Sequence, residues 1–312
     1  MSSVSAVILA HKRSRSLELV LDRLAGLPVD EVLVVDNGGE AEEAGAGRDR
    51  VRVLKPGSNI GVAGRNLAAR EARGDLLLML DDDSYPLAGA VETLTAAFES
   101  QPRLAAAGGF VRDVDLEGRT IRQDEVGTFD WYLRAGRPGA PPDGLPSFFF
   151  PEGASLHRRE AFLEAGGFFE PYFQTNSELD LTTRLVALGW DVRYFPNAAF
   201  DHLKEEAGRT QPPWRIRRRI RNHLWYFWLR FPPSVAVRRI PAYLIYDLIQ
   251  CTSRGLLPSW FGGIADAWRE RDLVRHERRP LPREVLRRAE LNRGRMHVRV
   301  LLGQARKRLR RR

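Results

Sequence analysis

The sequence holds little sulfur: one cysteine, Cys251, and three methionines in 312 residues. A single cysteine excludes an intrachain disulfide framework and a Cys-rich zinc module, and it fits a reducing compartment. Long apolar runs are also missing. No stretch of 18 or more apolar residues occurs, so no transmembrane helix is predicted. Val4 to Ala10 is apolar but lacks a basic segment before it and a small-residue cleavage site. It reads as a strand, not a signal peptide. The Gly-x-Gly-x-x-Gly fingerprint is absent after that strand, and so is a P-loop. No internal repeat is present.

What is present is ordinary globular material, 43% hydrophobic and 29% charged. That is enough for one large domain or two smaller ones, and it excludes wholesale disorder and a collagen-like fibre. The net charge of +9 hides an asymmetry. Residues 201–312 hold 28 Lys and Arg against 10 Asp and Glu, a net of +18, which leaves 21 against 30, a net of −9, for residues 1–200. An acidic half suits a cation; a basic third seeks phosphate, anionic lipid or nucleic acid.

The first half alternates between two periods. Apolar runs at Ser5–Leu9, Glu31–Val35, Val51–Leu54 and Leu76–Leu80 predict strands, the last buried on both faces. Leu17, Val20, Leu21 and Leu24 recur as one helix face, with Ser16 as the expected N-cap. Gly61–Arg73 and Leu87–Phe98 read as further helices. The pattern predicts an α/β fold, a mainly parallel sheet flanked by helices. Ligands then bind beyond the carboxyl ends of the strands, so His11, Asp36 and Asp81–Asp83 are expected along one edge.

Residues 104–200 are mixed. Strands are expected at Leu104–Arg112, Phe148–Leu156 and Asp191–Phe195, with helices at Arg159–Ala165 and Leu179–Leu188, and a Gly- and Pro-rich loop from Gly136 to Pro146. After His202 the composition turns to Arg-rich, aromatic, helical segments ending in the polybasic Arg306–Arg312.

Asp81-Asp82-Asp83 is the sharpest local signal. Three adjacent carboxylates repel unless donors or a cation neutralise them, and a hard divalent ion that keeps water and phosphate oxygens is one solution. Alternation along an extended segment puts Asp81 and Asp83 on one side and turns Asp82 away. The bland alternative is a solvated acidic turn. A haloacid-dehalogenase-type phosphatase is disfavoured, because its Asp-x-Asp-x-Thr or Val pattern belongs near the first strand and Tyr85 occupies the fifth position here.

Six segments in order then resemble family 2 glycosyltransferases with a GT-A fold: Val7–Arg13, Val34–Gly38, Asn59–Asn66, Leu80–Asp83, Gly166–Phe173, and Ser177–Leu185 with Gly189–Pro196 and His202 behind it. The match covers about residues 4–202. The resemblance implies an inverting nucleotide-sugar transferase, similar to rhamnosyl- and galactofuranosyltransferases, that uses Mn2+ or Mg2+. It implies donor contacts at Ala10, His11, Arg13, Asp36, Asn59, Gly61, Arg65, Asp81 and Asp82, with Asp36 on the nucleobase. It implies metal ligands at Asp81, Asp83 and His202, and a catalytic base at Glu178 with Asp180 in reserve, Ser177-Glu178 standing where the family has Glu-Asp. It divides the chain into a catalytic domain over 1–203, donor binding to about 110 and the acceptor and base part after it, and a helical region over 204–312.

Each residue also has a plainer reading. Asp36 caps its turn, Glu178 and Asp180 are first-turn acids favoured by a helix dipole, His202 is a partly buried histidine, Gly61 and Gly64 allow close packing, and Arg65 lies on the surface. For the basic third, Trp214–Arg221 running into Leu224–Leu229 suits an interfacial helix. Attachment to the cytoplasmic face of a membrane, near a lipid-linked acceptor, is one expectation. A soluble acceptor such as a secondary metabolite, with these helices as a cap or homo-oligomer contact, is the other. Nucleic acid fits less well, since no recognised module appears.

Overall fold

The computed structural model describes residues 2–12, 14–122, 142–204 and 212–286. Arg13, most of the Gly136–Pro146 loop and the Arg306–Arg312 tail lie outside the described residues. The elements run β1 (Val4–Ala10), α1 (Ser14–Leu24), β2 (Glu31–Asp36), α2 (Ala41–Gly45), β3 (Val51–Leu54), α3 (Ala63–Glu71), β4 (Leu76–Asp81), β5 (Ser84–Pro86) and α4 (Ala90–Ser100). There follow β6 (Leu104–Val114), β7 (Thr120–Arg122), β8 (Leu145–Pro146), β9 (Ala154–Arg158), α5 (Arg159–Glu164), a short 3-10 turn at Glu170–Tyr172, α6 (Ser177–Ala187) and β10 (Asp191–Leu203). Four helices close the described chain: α7 (Pro213–Arg230), α8 (Pro233–Thr252), α9 (Leu257–Arg269) and α10 (Arg271–His276).

One sheet of order β3-β2-β1-β4-β9-β6-β10-β5 organises these elements. Its continuous apolar strands are explained by burial on both faces. Val7, Leu33, Leu77 and Met79 point to one layer, while Ala6, Ile8, Val34, Leu78 and Leu80 point to the other. The second layer is closed by α1 and α4 through Leu17, Val20, Val91 and Leu94. The first is closed by α3, α5 and α6, and then by Leu224, Trp225 and Phe227 of α7. The C-terminal helices therefore share a core with the sheet.

The sheet departs from the mainly parallel expectation. β3, β2, β1 and β4 are parallel, but β9 enters antiparallel to both β4 and β6. The connection through α4 leaves β6 one strand position away from β4, and β9 fills that gap running backwards. β6 pairs parallel with β10, which pairs antiparallel with β5.

Several boundaries also move. α1 starts at Ser14, so Ser16 lies inside its first turn and not at the cap. α3 starts at Ala63, not Gly61, because Gly61 has φ +58 and belongs to the preceding loop. β9 starts at Ala154, after Pro151-Glu152-Gly153, and not at Phe148. β10 runs on from Phe195 to Leu203, with a register break between Phe195 and Ala199 that accommodates Pro196. Among the described residues no helix is long and apolar enough to cross a membrane.

Candidate active site

The ends of β1, β2 and β4 are level. Ala10 is opposite Asp36, and Leu9 is opposite Asp81. His11, Asp36 and the acidic triplet thus share the carboxyl edge of the sheet. The His11 N–H donates to Asp82 Oδ2 at 2.7 Å, so Asp82 closes the β1 end and its carboxylate faces the edge. Asn37 ties in the Gly61 loop: its Nδ2 donates to the Gly61 carbonyl at 3.1 Å and its Oδ1 accepts from the Ile60 N–H at 3.2 Å. The Gly61 N–H donates to Asn59 Oδ1 at 2.9 Å. Asn59 Nδ2 lies 3.5 Å from His11 Nδ1.

Asp36 is spent on its own turn. Its Oδ1 accepts N–H groups from Gly38, Gly39 and Glu40 at 3.2, 2.6 and 3.2 Å, and its Oδ2 accepts from Ala41 at 3.1 Å. Of its two readings, the turn cap is the one this geometry displays. Neighbouring Asn37, which the sequence reading passed over, reaches across to the Gly61 loop instead.

Arg65 is not a surface residue. It is 1% exposed and sits beneath the strand tip. One guanidinium nitrogen, Nη2, donates to Asp81 Oδ1 at 2.6 Å and to the Leu80 carbonyl at 3.1 Å; the other, Nη1, donates to Glu152 Oε1 at 3.0 Å. Burial works against its charge, but Glu152 and Asp81 outweigh that and raise its pKa. Arg65 therefore holds Asp81 and Glu152 in place at the strand tip.

Asp81 and Asp83 diverge. Asp81 is 44% exposed with one oxygen on Arg65, and Gly153 leaves the room its other oxygen needs, since any Cβ there would collide with it. Asp83 Oδ1 lies 3.3 Å from His202 Nε2, while His202 Nδ1 lies 2.9 Å from Asp113 Oδ1. The pairing explains the arrangement: His202 is opposite Ser84 on one side and Asp113 on the other. Among the described residues no three His, Cys, Asp or Glu side chains converge on one point. Of the three expected ligands the structure brings two together, Asp83 and His202, with Asp81 apart from them.

Those two suit a divalent cation. Cis ligands of an octahedral ion at about 2.1 Å stand about 3 Å apart, close to the separation seen. A metal-binding imidazole commonly gives its other nitrogen to a carboxylate, and Asp113 fills that role. Phosphate oxygens and water would complete such a shell.

Glu178 lies in the first turn of α6 and is half-buried. Burial, and then the nearby Glu152 carboxylate, push its pKa up to about 8. Ser177 Oγ stands 3.3 Å from Glu178 Oε2 and 3.4 Å from Glu152 Oε2. Glu152 is itself raised by burial and by Asp81, against the pull of Arg65. The sequence reading missed Glu152; its one signal was an acid between Pro151 and Gly153 at the head of a buried strand.

Asp180, the reserve base, is fully buried between two arginines. Arg230 Nε donates to Oδ1 at 2.6 Å and Arg184 Nε to Oδ2 at 2.9 Å. These guanidinium charges outweigh burial and lower its pKa. A carboxylate so enclosed is a clamp between α6 and α7, with no path to a substrate.

Comparison with known proteins places the chain in a family and a fold. The family profile described as Glycosyl transferase family 2 matches residues 5–166. A relative from Mycobacterium tuberculosis named N-acetylglucosaminyl-diphospho-decaprenol L-rhamnosyltransferase is 28% identical over 227 residues, covering 63% of this chain and 72% of the relative. The structure of GalNAc-T7 with UDP, GalNAc and Mn2+ superposes with a TM-score of 0.60 at 15% identity, covering 75% of this chain and 49% of that one. The structure of S. aureus TarS 1–349 with UDP-GlcNAc has a TM-score of 0.56 at 15% identity, covering 85% and 80%. At such identities the structures show a common fold, the GT-A fold.

Proposed function

Because the chain belongs to glycosyl transferase family 2, we propose that it is an inverting, metal-dependent transferase that moves a sugar from a nucleoside diphosphate to a hydroxyl of a lipid-linked acceptor. One observation carries the reading. Buried Arg65 joins Asp81 at the strand tip to Glu152, and Glu152 meets Glu178 across Ser177. A donor-side carboxylate and a base whose pKa is raised to about 8 thus belong to one connected site.

The chemistry follows from that arrangement. Glu178 accepts the proton of the acceptor hydroxyl as its oxygen attacks the anomeric carbon. The bond from that carbon to the phosphate oxygen breaks, and the nucleoside diphosphate leaves with the electron pair. Attack on the face opposite the leaving group inverts the centre. Asp83 and His202 would hold Mn2+ or Mg2+, which neutralises the charge gathering on the diphosphate. Asn37, Asn59 and Gly61 shape the donor side, and Asp81 lies beside it, fixed by Arg65.

The acceptor and the surface it sits on are read from the C-terminal helices. Eight of the eleven large apolar side chains exposed among the described residues lie between Trp214 and Leu273. A groove of about 450 Å³ beside them is lined by Trp228, Val237, Ile240 and Trp268 together with Arg271 and Arg275. Apolar rings and arginines side by side suit an anionic phospholipid surface, each cation near it contributing about 1 kcal/mol. The relative named for a diphospho-decaprenol substrate supports a lipid-diphosphate acceptor, and L-rhamnose as the sugar.

The test is a thermal-shift screen of UDP-GlcNAc, GDP-mannose and dTDP-L-rhamnose with Mn2+, followed by transfer assays, because donor binding stabilises the folded chain by mass action. Asp83→Ala is expected to abolish the Mn2+-dependent shift. Glu178→Gln is expected to keep that shift while transfer falls by about 100-fold or more. Transfer by Glu178→Gln at the wild-type rate would place the base elsewhere.

A further inference from the structure

Glu152 lies outside every sequence segment that pointed to the site, yet its placement is over-determined. Its backbone belongs to the turn ahead of β9, where the Ala154 N–H donates to the Pro151 carbonyl at 3.1 Å. Ser84 Oγ donates to the neighbouring Gly153 carbonyl at 2.5 Å, and to the same hydroxyl the Asp81 N–H donates at 2.9 Å. The turn is thus fastened to the tip of β4. Gly153 has no Cβ and lies against Asp81, where any side chain would collide. The Glu152 carboxylate leaves this rigid turn with each oxygen facing a different partner. Oε1 accepts from Arg65 Nη1 at 3.0 Å, and Oε2 lies 3.4 Å from Ser177 Oγ.

The Ser177 hydroxyl is the junction. It has one hydrogen and stands at nearly equal distance from Glu152 Oε2 and Glu178 Oε2. It can donate to only one of them at a time. With both carboxylates ionised, one faces the hydroxyl without a hydrogen bond while like charges face each other across a single oxygen. A shared proton relieves both costs. Arg65 breaks the symmetry, because its guanidinium touches Glu152 and stabilises that anion. The proton therefore resides on Glu178, and Glu152 remains the charged member of the pair. The groups that face the pair come from four elements: Arg65 of α3, Asp81 of β4, Ser177 of α6 and Arg215 of α7.

We propose that Glu152 is the positioning residue of the acceptor base: anchored by Arg65 and sharing the Ser177 hydroxyl with Glu178, it orients the Glu178 carboxyl and sets the pH range in which that group accepts the acceptor's proton. The inference rests on the reading of Glu178 as base. Glu152 itself touches neither sugar nor phosphate. It acts through Ser177 and through the charge it sets beside Glu178. Loss of that charge without loss of shape lowers the basicity of Glu178. Transfer then remains possible, but Glu178 ionises at lower pH and is a weaker acceptor of the proton.

Two measurements on the full chain test this. The first needs no substrate: side-chain carboxyl NMR of 13C-glutamate-labelled protein, titrated from about pH 5 to pH 10. In the wild type one glutamate is expected to titrate at about 8 and to vanish in Glu178→Gln, which assigns it. In Glu152→Gln, which keeps a side-chain oxygen for Arg65, that titration is expected to fall by about one pH unit or more. Ser177→Ala, which removes only the hydroxyl, is expected to broaden or shift the same signal without altering the Mn2+-dependent donor shift. The second is release of nucleoside diphosphate from UDP-GlcNAc, GDP-mannose and dTDP-L-rhamnose across the same pH range. Glu152→Gln should move the acidic limb of kcat downward and leave KM for the donor unchanged. An unmoved Glu178 titration in Glu152→Gln, in protein whose circular dichroism and melting match the wild type, overturns the proposal. A normal rate in Glu178→Gln overturns the base reading alone, and the carboxyl titration reports on the Glu152–Glu178 pair regardless.

Discussion

At the scale of single residues, the site separates carboxylates by what faces them. Asp36 meets four backbone N–H groups, Asp180 meets two guanidinium groups, and Glu178 meets another carboxylate across a hydroxyl. The same functional group is thereby made a turn cap, a clamp and, in the function we propose, a base. Asp180 gives a direct prediction. Replacing it with Asn leaves Arg184 and Arg230 buried without a counter-charge, and breaking a buried pair in this way costs about 3–5 kcal/mol. The effect is expected in urea unfolding at neutral pH. The sign with pH follows from its lowered pKa. The stabilisation is complete above the ordinary carboxylate range and is lost as pH falls through the depressed folded-state value. The gap between wild type and Asp180→Asn should therefore close in acid.

At the scale of elements, the loop from Asn59 to Val62, which we propose shapes the donor side, is tightly tied down. Gly61 has φ +58, its carbonyl and N–H are both engaged by asparagines, and the next N–H, of Val62, donates to the Phe173 carbonyl at 2.7 Å. A Cβ at Gly61 would run into that same carbonyl. Gly61→Ala is expected to cost about 1–3 kcal/mol in strain and to weaken donor binding with little change in the Glu178 titration. Thermal shift with Mn2+ and nucleotide sugars checks it. The elements differ in how far the sequence reveals them. β1, β2 and β4 were legible because strands covered on both faces have no polar side to confuse the pattern. The start of α3 was not, since Gly61 and Val62 pattern like a first turn and only contact with Phe173, more than a hundred residues away, makes them a loop. β9 was misplaced for a similar reason: its partners β4 and β6 are distant in sequence, and local propensity at Phe148–Phe150 says nothing of pairing. Glu152 was invisible because an acid in a loop has no periodicity, and its meaning comes from Arg65. The Asp83–His202 contact was half legible, as two residue types whose meeting depends on the strand register of β5 and β10.

At the scale of the molecule, charge and apolar surface are unevenly shared. The acidic first 200 residues hold most of the candidate site, and the basic remainder carries an exposed stripe of Val237, Ile245 and Ile249 along α8, with Phe261 and Trp268 on α9. The four- and eight-residue spacings put the α8 residues on one side of that helix. Co-sedimentation with vesicles containing phosphatidylglycerol is expected at low salt, with much weaker binding to phosphatidylcholine alone. Val237→Asp combined with Ile245→Asp should abolish co-sedimentation and leave melting and the donor thermal shift unchanged, because both side chains face outward. Binding by the double variant equal to the wild type would rule out this face.

Arg230 has one more implication. It is the last residue of α7, and it bonds to both oxygens of Asp180, two residues along α6 from Glu178. Asn222, two turns earlier, gives its amide hydrogens to the carbonyls of Tyr172, Gln174 and Thr175, the stretch that leads into Glu178. Any gene trimmed to its first 203 codons therefore encodes a chain in which the segment carrying Glu178, the proposed base, loses these braces, so studies of catalysis in this protein should begin with the helices left on.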